Sequence, residues 1–203
     1  MKFRHGELES LREDVNAWVA RKKASTSGPR MSYKHATRMG IYRLHRGDSV
    51  SSAAKYLEGF LDSYSLKSAQ KREECEADLH EYARWMKKEA LTSLLSKTRL
   101  QTEVASDLYI GGEIPRIDLL STGGYRAILL GDDAGGWREQ LRMPIIQRAV
   151  AQVLKRPENL VSVGVQAIDG NGLDWTSFSK AEIEEARLEL IQLDAEARGF
   201  MGH

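Results

Sequence analysis

The chain has 203 residues, of which 41% are hydrophobic and 29% charged, with a formal net charge of +1 at pH 7. That is the composition of a soluble globular protein able to bury a substantial core, and no apolar run approaches the length that spans a bilayer. The opening Met1–Glu7 lacks the apolar core of a signal peptide, and the single Cys75 excludes an internal disulfide and a multi-cysteine zinc site, so a cytoplasmic location is expected.

In chain order, Leu8, Leu11, Val15 and Trp18 recur at spacings of three and four within Glu7–Lys23, which predicts an amphipathic helix ended by Ser25–Pro29. Ser32–Leu44 reads as a second helix stopped near Gly47-Asp48. Ser49 caps a third, carrying Val50, Ala53, Leu57, Phe60, Leu61 and Tyr64. A long helix is predicted from Lys67 to Leu95, with Leu79, Tyr82, Ala83, Met86, Leu94 and Leu95 on its apolar side. Leu100–Ile110 reads as a first strand ending at Gly111-Gly112. Ile114–Leu120, apolar apart from Arg116 and Asp118, reads as a second. The turn Ser121–Gly124 leads into a third, Tyr125–Leu130. Trp137–Lys155 has helical spacing, with Pro144 at a first turn or a kink, and the Val-rich Leu160–Ala167 is the next strand. Asp169–Gly172 makes a turn that ends the core. Ser179-Lys180-Ala181-Glu182 is a capping box opening a last amphipathic helix that runs to Gly199, whose apolar stripe would suit docking on a partner helix but is more simply a cover for its own sheet. The expectation is an α/β (α+β) protein in three regions: a helical, basic 1–66, a core over 67–170 with a mixed four-stranded sheet in α-β-β-β-α-β order, and a C-terminal helix over 171–203.

Charge is unevenly placed. Residues 1–102 carry 20 Lys and Arg against 13 Asp and Glu, whereas residues 103–203 carry 10 against 16. The span Val15–Arg46 holds Arg21, Lys22, Lys23, Arg30, Lys34, Arg38, Arg43 and Arg46, interleaved with Tyr33 and Tyr42, and no acid. Such a stripe is an electrostatic footprint for a phosphate backbone, although a solvated helical face or a surface for an acidic partner subunit has the same composition. The five histidines lack metal-ligand spacing, and His35, His45 and His80 are expected to face solvent or phosphate. No Gly-rich loop ends in Gly-Lys-Ser/Thr, and no nucleophile-elbow context is present. The four tryptophans, Trp18, Trp85, Trp137 and Trp175, fall in separate elements, a distribution that favours packing over a base-stacking platform.

The order of elements from Ser68 to Ile168 resembles the PD-(D/E)XK nuclease superfamily. Asp118 falls where that family places its first metal-binding Asp. By the same resemblance the strand after it should end in Asp/Glu, any residue, Lys, but the positions read Leu130-Gly131-Asp132. Gln140 matches the Gln of the Gln-x-x-x-Tyr helix start in one exonuclease branch, with Pro144 in the place of the Tyr. Hydrolysis in this fold needs carboxylates converging on one or two Mg²⁺ or Mn²⁺ ions and a Lys near the attacking water.

Two readings follow from the resemblance. In the first the chain is a non-catalytic nuclease-fold subunit without a cofactor, which binds or guides nucleic acid, expected to be DNA, among other protein subunits of a DNA-processing or anti-phage defence complex. In the second it is an active metal-dependent deoxyribonuclease whose ligands have migrated. Asp118 and Gln140 are then catalytic, Asp118 with Asp132 or Glu103 holds the metal, Glu113 and Asp133 are further candidate carboxylates, and Arg126 or Arg142 replaces the Lys. Leu130, which cannot bind a metal, is the residue expected to discriminate between them.

Overall fold

A computed structural model describes residues 31–89, 92–131, 136–169 and 172–200. Three helices come first: α1 (Tyr33–His45), α2 (Val50–Ser63) and α3 (Ala69–Lys88). Each of the first two starts at a serine whose hydroxyl accepts a backbone N–H three residues on, Ser32 from His35 at 3.1 Å and Ser49 from Ser52 at 3.2 Å, which satisfies a donor the helix leaves free. The predicted helix over Glu7–Lys23 lies outside the described residues.

The long helix stops at Lys88, short of the predicted Leu95, and the next element is β1 (Thr92–Ala105). Leu94 and Leu95, counted on the apolar side of that helix, lie on β1 and are exposed. A tight turn with Asp107 at φ 66° reverses the chain into β2 (Leu108–Leu119), so Gly111-Gly112 lie inside a strand instead of ending one. Asp tolerates the left-handed region because its short polar side chain bonds locally, which is why this turn works without glycine. The predicted turn at Ser121–Gly124 is present, with the Gly123 N–H donating to the Leu120 carbonyl at 2.9 Å, and leads into β3 (Tyr125–Gly131).

Trp137–Glu139 forms a single 3₁₀ turn, and α4 (Arg142–Leu154) begins five residues later than predicted. Pro144 is the third residue of α4, within the first turn, where its missing N–H costs nothing. Then come β4 (Val161–Ala167), a short β5 (Leu173–Thr176) and α5 (Lys180–Phe200). The capping box forms at both ends: Glu182 N–H donates to Ser179 Oγ at 3.2 Å, and Ser179 N–H to Glu182 Oε2 at 2.7 Å.

The sheet has five strands in the order β1-β2-β3-β4-β5, antiparallel except for the β3–β4 pair. The class is the one expected; the fifth strand was not. It pairs on the outer edge of β4, anchored by Asp174, which accepts from Trp137 Nε1 at 2.9 Å and from Arg138. Strand alternation sorts the side chains onto two faces. Ile117, Ala127, Val163 and Val165 pack under α4, and Val104 packs with Ile145 of α4 and Ala186 and Leu193 of α5. The other face carries Arg116, Asp118, Leu130, Gln166 and Ile168 toward α1–α3, whose own core is Ile41, Leu57, Leu79 and Tyr82.

Candidate functional site

The polar residues of that second face meet in one buried cluster. Arg116 and Asp118 are two residues apart on β2, so the pleat puts both on the same side, and both are 0% exposed. The Arg116 Nε lies 2.8 Å from Asp118 Oδ1 and donates to Oδ2 at 3.0 Å. Its Nη1 donates to the Tyr82 hydroxyl on α3 at 2.6 Å and its Nη2 to Gln166 Oε1 on β4 at 3.3 Å. The face of the guanidinium lies against the Trp85 ring, 5.1 Å from its centroid.

His45, at the end of α1, completes the chain of bonds. Its Nδ1 lies 3.2 Å from the Pro115 carbonyl, and its Nε2 lies 2.9 Å from the Tyr82 hydroxyl. A carbonyl can only accept, so Nδ1 carries the proton and Nε2 accepts from Tyr82, whose oxygen in turn accepts from Arg116. Burial, assisted by the nearby Arg116 charge, pulls the His45 pKa down to about 3, so the ring is neutral at ordinary pH. Burial also raises the Asp118 carboxyl above its usual range, with the Arg116 guanidinium working against that rise. His45 therefore departs from the solvated or phosphate-facing role expected of it.

Of the other predicted residues, Arg126 borders this cluster, and Glu113, Glu103 and Gln140 lie apart from it. Arg126, cross-strand from Asp118, is half-buried with its guanidinium 4.6 Å from the centroid of Trp175. Leu130 stands four residues further along β3, roughly 13 Å from Asp118's partner at ~3.3 Å per residue, and packs against the helical core. Glu113 is five residues from Asp118 on the same strand, roughly 16 Å, and hydrogen-bonds Tyr42. Glu103 lies on β1 ten residues from Ser93, the strand partner of Asp118, and so roughly 33 Å away. Neither glutamate can share an ion with Asp118. Gln140 is buried at the start of α4, where its amide oxygen accepts from Arg142 Nε at 2.8 Å. Asp132 and Asp133 lie outside the described residues.

Among the described residues no group of three or more His, Cys, Asp or Glu is placed to hold a metal ion. Among the described residues, Asp118 is the predicted metal ligand that this cluster contains, and its carboxylate is engaged by a guanidinium. A divalent ion at that carboxylate would sit about 4.5 Å from the Arg116 charge, a repulsion on the order of 7 kcal/mol at an effective dielectric of about 20. The described residues do not fit a metal.

Of the predicted basic stripe, Arg21, Lys22, Lys23 and Arg30 lie outside the described residues. Lys34, Arg38, Tyr42 and Arg46 follow one another at intervals of four along α1 and its C-cap. Lys97 of β1 extends the patch, its ammonium 5.6 Å from the Tyr42 ring centroid. Arg43 points elsewhere, paired with Asp48 at 2.5 Å and lying over Tyr56. Cys75 is buried, with its Sγ donating to the Tyr33 carbonyl at 3.5 Å, and burial pushes its thiol up, away from nucleophilic chemistry.

Sequence reasoning missed Tyr82, His45 and Gln166 as members of the cluster. A signal existed for Arg116: with Asp118 it is one of two polar residues in an apolar strand, at the spacing that shares a face. Gln166, in a Val-rich strand, carried a weaker signal of the same kind.

The sequence matches no family model and no curated protein. By structure the chain is similar to the crystal structure of a "Putative exonuclease" from Eubacterium rectale, with a TM-score of 0.53 and 8% identity over 98% of this chain and 88% of that one. A protein called SSO0001 aligns over 90% of this chain and 83% of its own at 9% identity, with a TM-score of 0.28. The first likeness is one of fold and supports a nuclease-like architecture. No helix among the described residues is long and apolar enough to cross a membrane.

Proposed function

We propose that this chain is a non-catalytic nuclease-fold protein of the PD-(D/E)XK type that binds nucleic acid, DNA in the first instance, as a subunit guiding it for another chain. The observation that carries the reading is the Arg116 guanidinium, fully buried against Asp118, where a hydrolytic relative would need an accessible carboxylate and a cation. The cytoplasmic location and the assembly, DNA-processing or anti-phage defence, rest on the superfamily resemblance. Support for nucleic-acid binding comes from the nuclease-like fold and from the Lys34–Arg38–Arg46 row with Lys97 beside it.

The test pairs cleavage with binding. Purified protein is incubated with supercoiled, linear duplex and single-stranded DNA in Mg²⁺ or Mn²⁺ beside Asp118→Asn, and binding is followed against salt. The expected outcome is binding without cleavage by either protein. Neutralising Arg38 and Arg46 to Gln should lower the slope of log affinity against log salt by about 0.9 per lost duplex-phosphate contact. Cleavage by the wild type that disappears in Asp118→Asn would overturn this reading in favour of an active nuclease with migrated ligands.

A further inference from the structure

Trp175 stands out among the described tryptophans. Trp137 is buried and Trp85 packs against Arg116, whereas Trp175 is 49% exposed on a strand that the fold holds rigidly. Its strand partner is Gly164, and a Cβ at that position would lie 2.8 Å from the Asp174 carbonyl oxygen and 3.0 Å from Trp175 Cβ. Only glycine lets β5 close this tightly on β4. Asp174, one residue before the tryptophan, is held by Trp137 Nε1 and Arg138, so the backbone carrying the indole is fixed from both sides.

Arg126 lies against the indole, 4.6 Å from its centroid. The nearest buried carboxylate, Asp118, is bonded to Arg116, so two guanidinium groups share one carboxylate, and the buried Arg126 Nε has no hydrogen-bond partner among the described residues. Glu89, exposed at the end of α3, attracts Arg126 from the solvent side, where screening weakens it. The indole's immediate neighbours on the sheet are Arg126, Gly164 and Ser162, with Ile128, 0% exposed, behind Gly164. An apolar protein partner gains little from such surroundings, whereas a base that stacks while its phosphate meets a guanidinium gains from both.

We propose that Trp175 and Arg126 form a seat for an unpaired base of single-stranded nucleic acid, with Trp175 stacking the base and Arg126 meeting its phosphate. This rests on the nucleic-acid reading above and adds to it that the protein distinguishes unpaired from paired strands.

The experiment measures fluorescence anisotropy of a labelled oligothymidylate and of a labelled blunt duplex with the full-length wild type, Trp175→Phe, Trp175→Leu and Arg46→Gln. Leu keeps apolar bulk at position 175 without a ring, and Phe keeps the ring. Support is a loss of roughly tenfold or more in oligothymidylate affinity for Trp175→Leu, near-retention for Trp175→Phe, and duplex affinity unchanged in both. Equal oligothymidylate affinity in all three proteins, or an equal loss on both probes, would overturn the stacking seat. If Arg46→Gln weakened both probes at the same time, nucleic-acid binding itself would stand and a protein-facing role would remain for Trp175. Failure of the wild type to bind either probe would refute the nucleic-acid reading and the seat with it.

Discussion

Replacing Arg116 with Met keeps most of the side chain's length and removes its charge. The structure sets the size of the effect. Asp118 would be left 0% exposed with only the cross-strand Arg126 charge near it, and the donors to Tyr82 at 2.6 Å and to Gln166 at 3.3 Å would be lost. Breaking one side of such a pair costs about 3–5 kcal/mol, because the remaining charge stays buried. With a urea dependence of about 2 kcal/mol per molar, the midpoint of unfolding should fall by roughly 1.5–2.5 M. Arg116→Met combined with Asp118→Leu removes both charges, and should recover most of that loss or exceed the wild type. Urea unfolding followed by tryptophan fluorescence, with circular dichroism as a second probe, measures all four corners of the cycle. A loss below about 1 kcal/mol in the single variant, or a double variant no more stable than the single, would refute a solvent-free ion pair at this position. A Mg²⁺-dependent rise in wild-type Tm that Asp118→Asn abolishes would refute it independently, by showing that the carboxylate is open to cations.

His45 gives a pH-dependent prediction. Its folded pKa of about 3 lies below the unfolded value of 6.5, so the unfolded state takes up the proton first, and stability falls as pH falls through that window. The loss should be about 2 kcal/mol at pH 5, and His45→Gln should show a correspondingly flatter pH profile of urea midpoints; parallel profiles would count against a buried neutral ring. Gly164→Ala should cost about 1–3 kcal/mol and loosen β5, since the new Cβ would meet the Asp174 carbonyl at 2.8 Å; an unchanged thermal midpoint would show that the two strands are not this close.

What the sequence made legible was what local physics decides. Ser49 and Ser179 cap the helices they were expected to cap, the Ser121–Gly124 turn forms, and the Val-rich run is a buried strand. Leu94 and Leu95 misled because they prolong the apolar spacing of α3 past its end, while the pairing that makes them a strand comes from β2. β5 has four residues and exists through Asp174's bonds to distant side chains, so no local pattern announces it. The site divides in the same way. Arg116 and Asp118 share a face by alternation alone, but their partners Tyr82 and His45 arrive by tertiary packing of α3 and α1. Register also escaped the sequence: the turn length sets Arg126 opposite Asp118, and position 130, where the second acid was sought, is carried four residues up the sheet.

That register changes which residue decides between the two functional readings. A carboxylate on this face is covered by α3, and a buried carboxylate must be protonated, bonded to a metal, or paired with a cation from the chain. Arg116 supplies the third solution from two residues away on the same strand, so no loop or partner is needed to deliver it. The same guanidinium spends its remaining donors on Tyr82 and Gln166, and Tyr82 passes the constraint to His45. A cation entering beside Asp118 would have to displace a group that also orients α1 and α3 on the sheet. A Glu at Leu130 would not restore a site, since it would stand roughly 13 Å from Asp118's strand partner. Exchange at position 116 is therefore the change that a metal site at Asp118 would require first, and position 116, more than position 130, is where the two functional readings part.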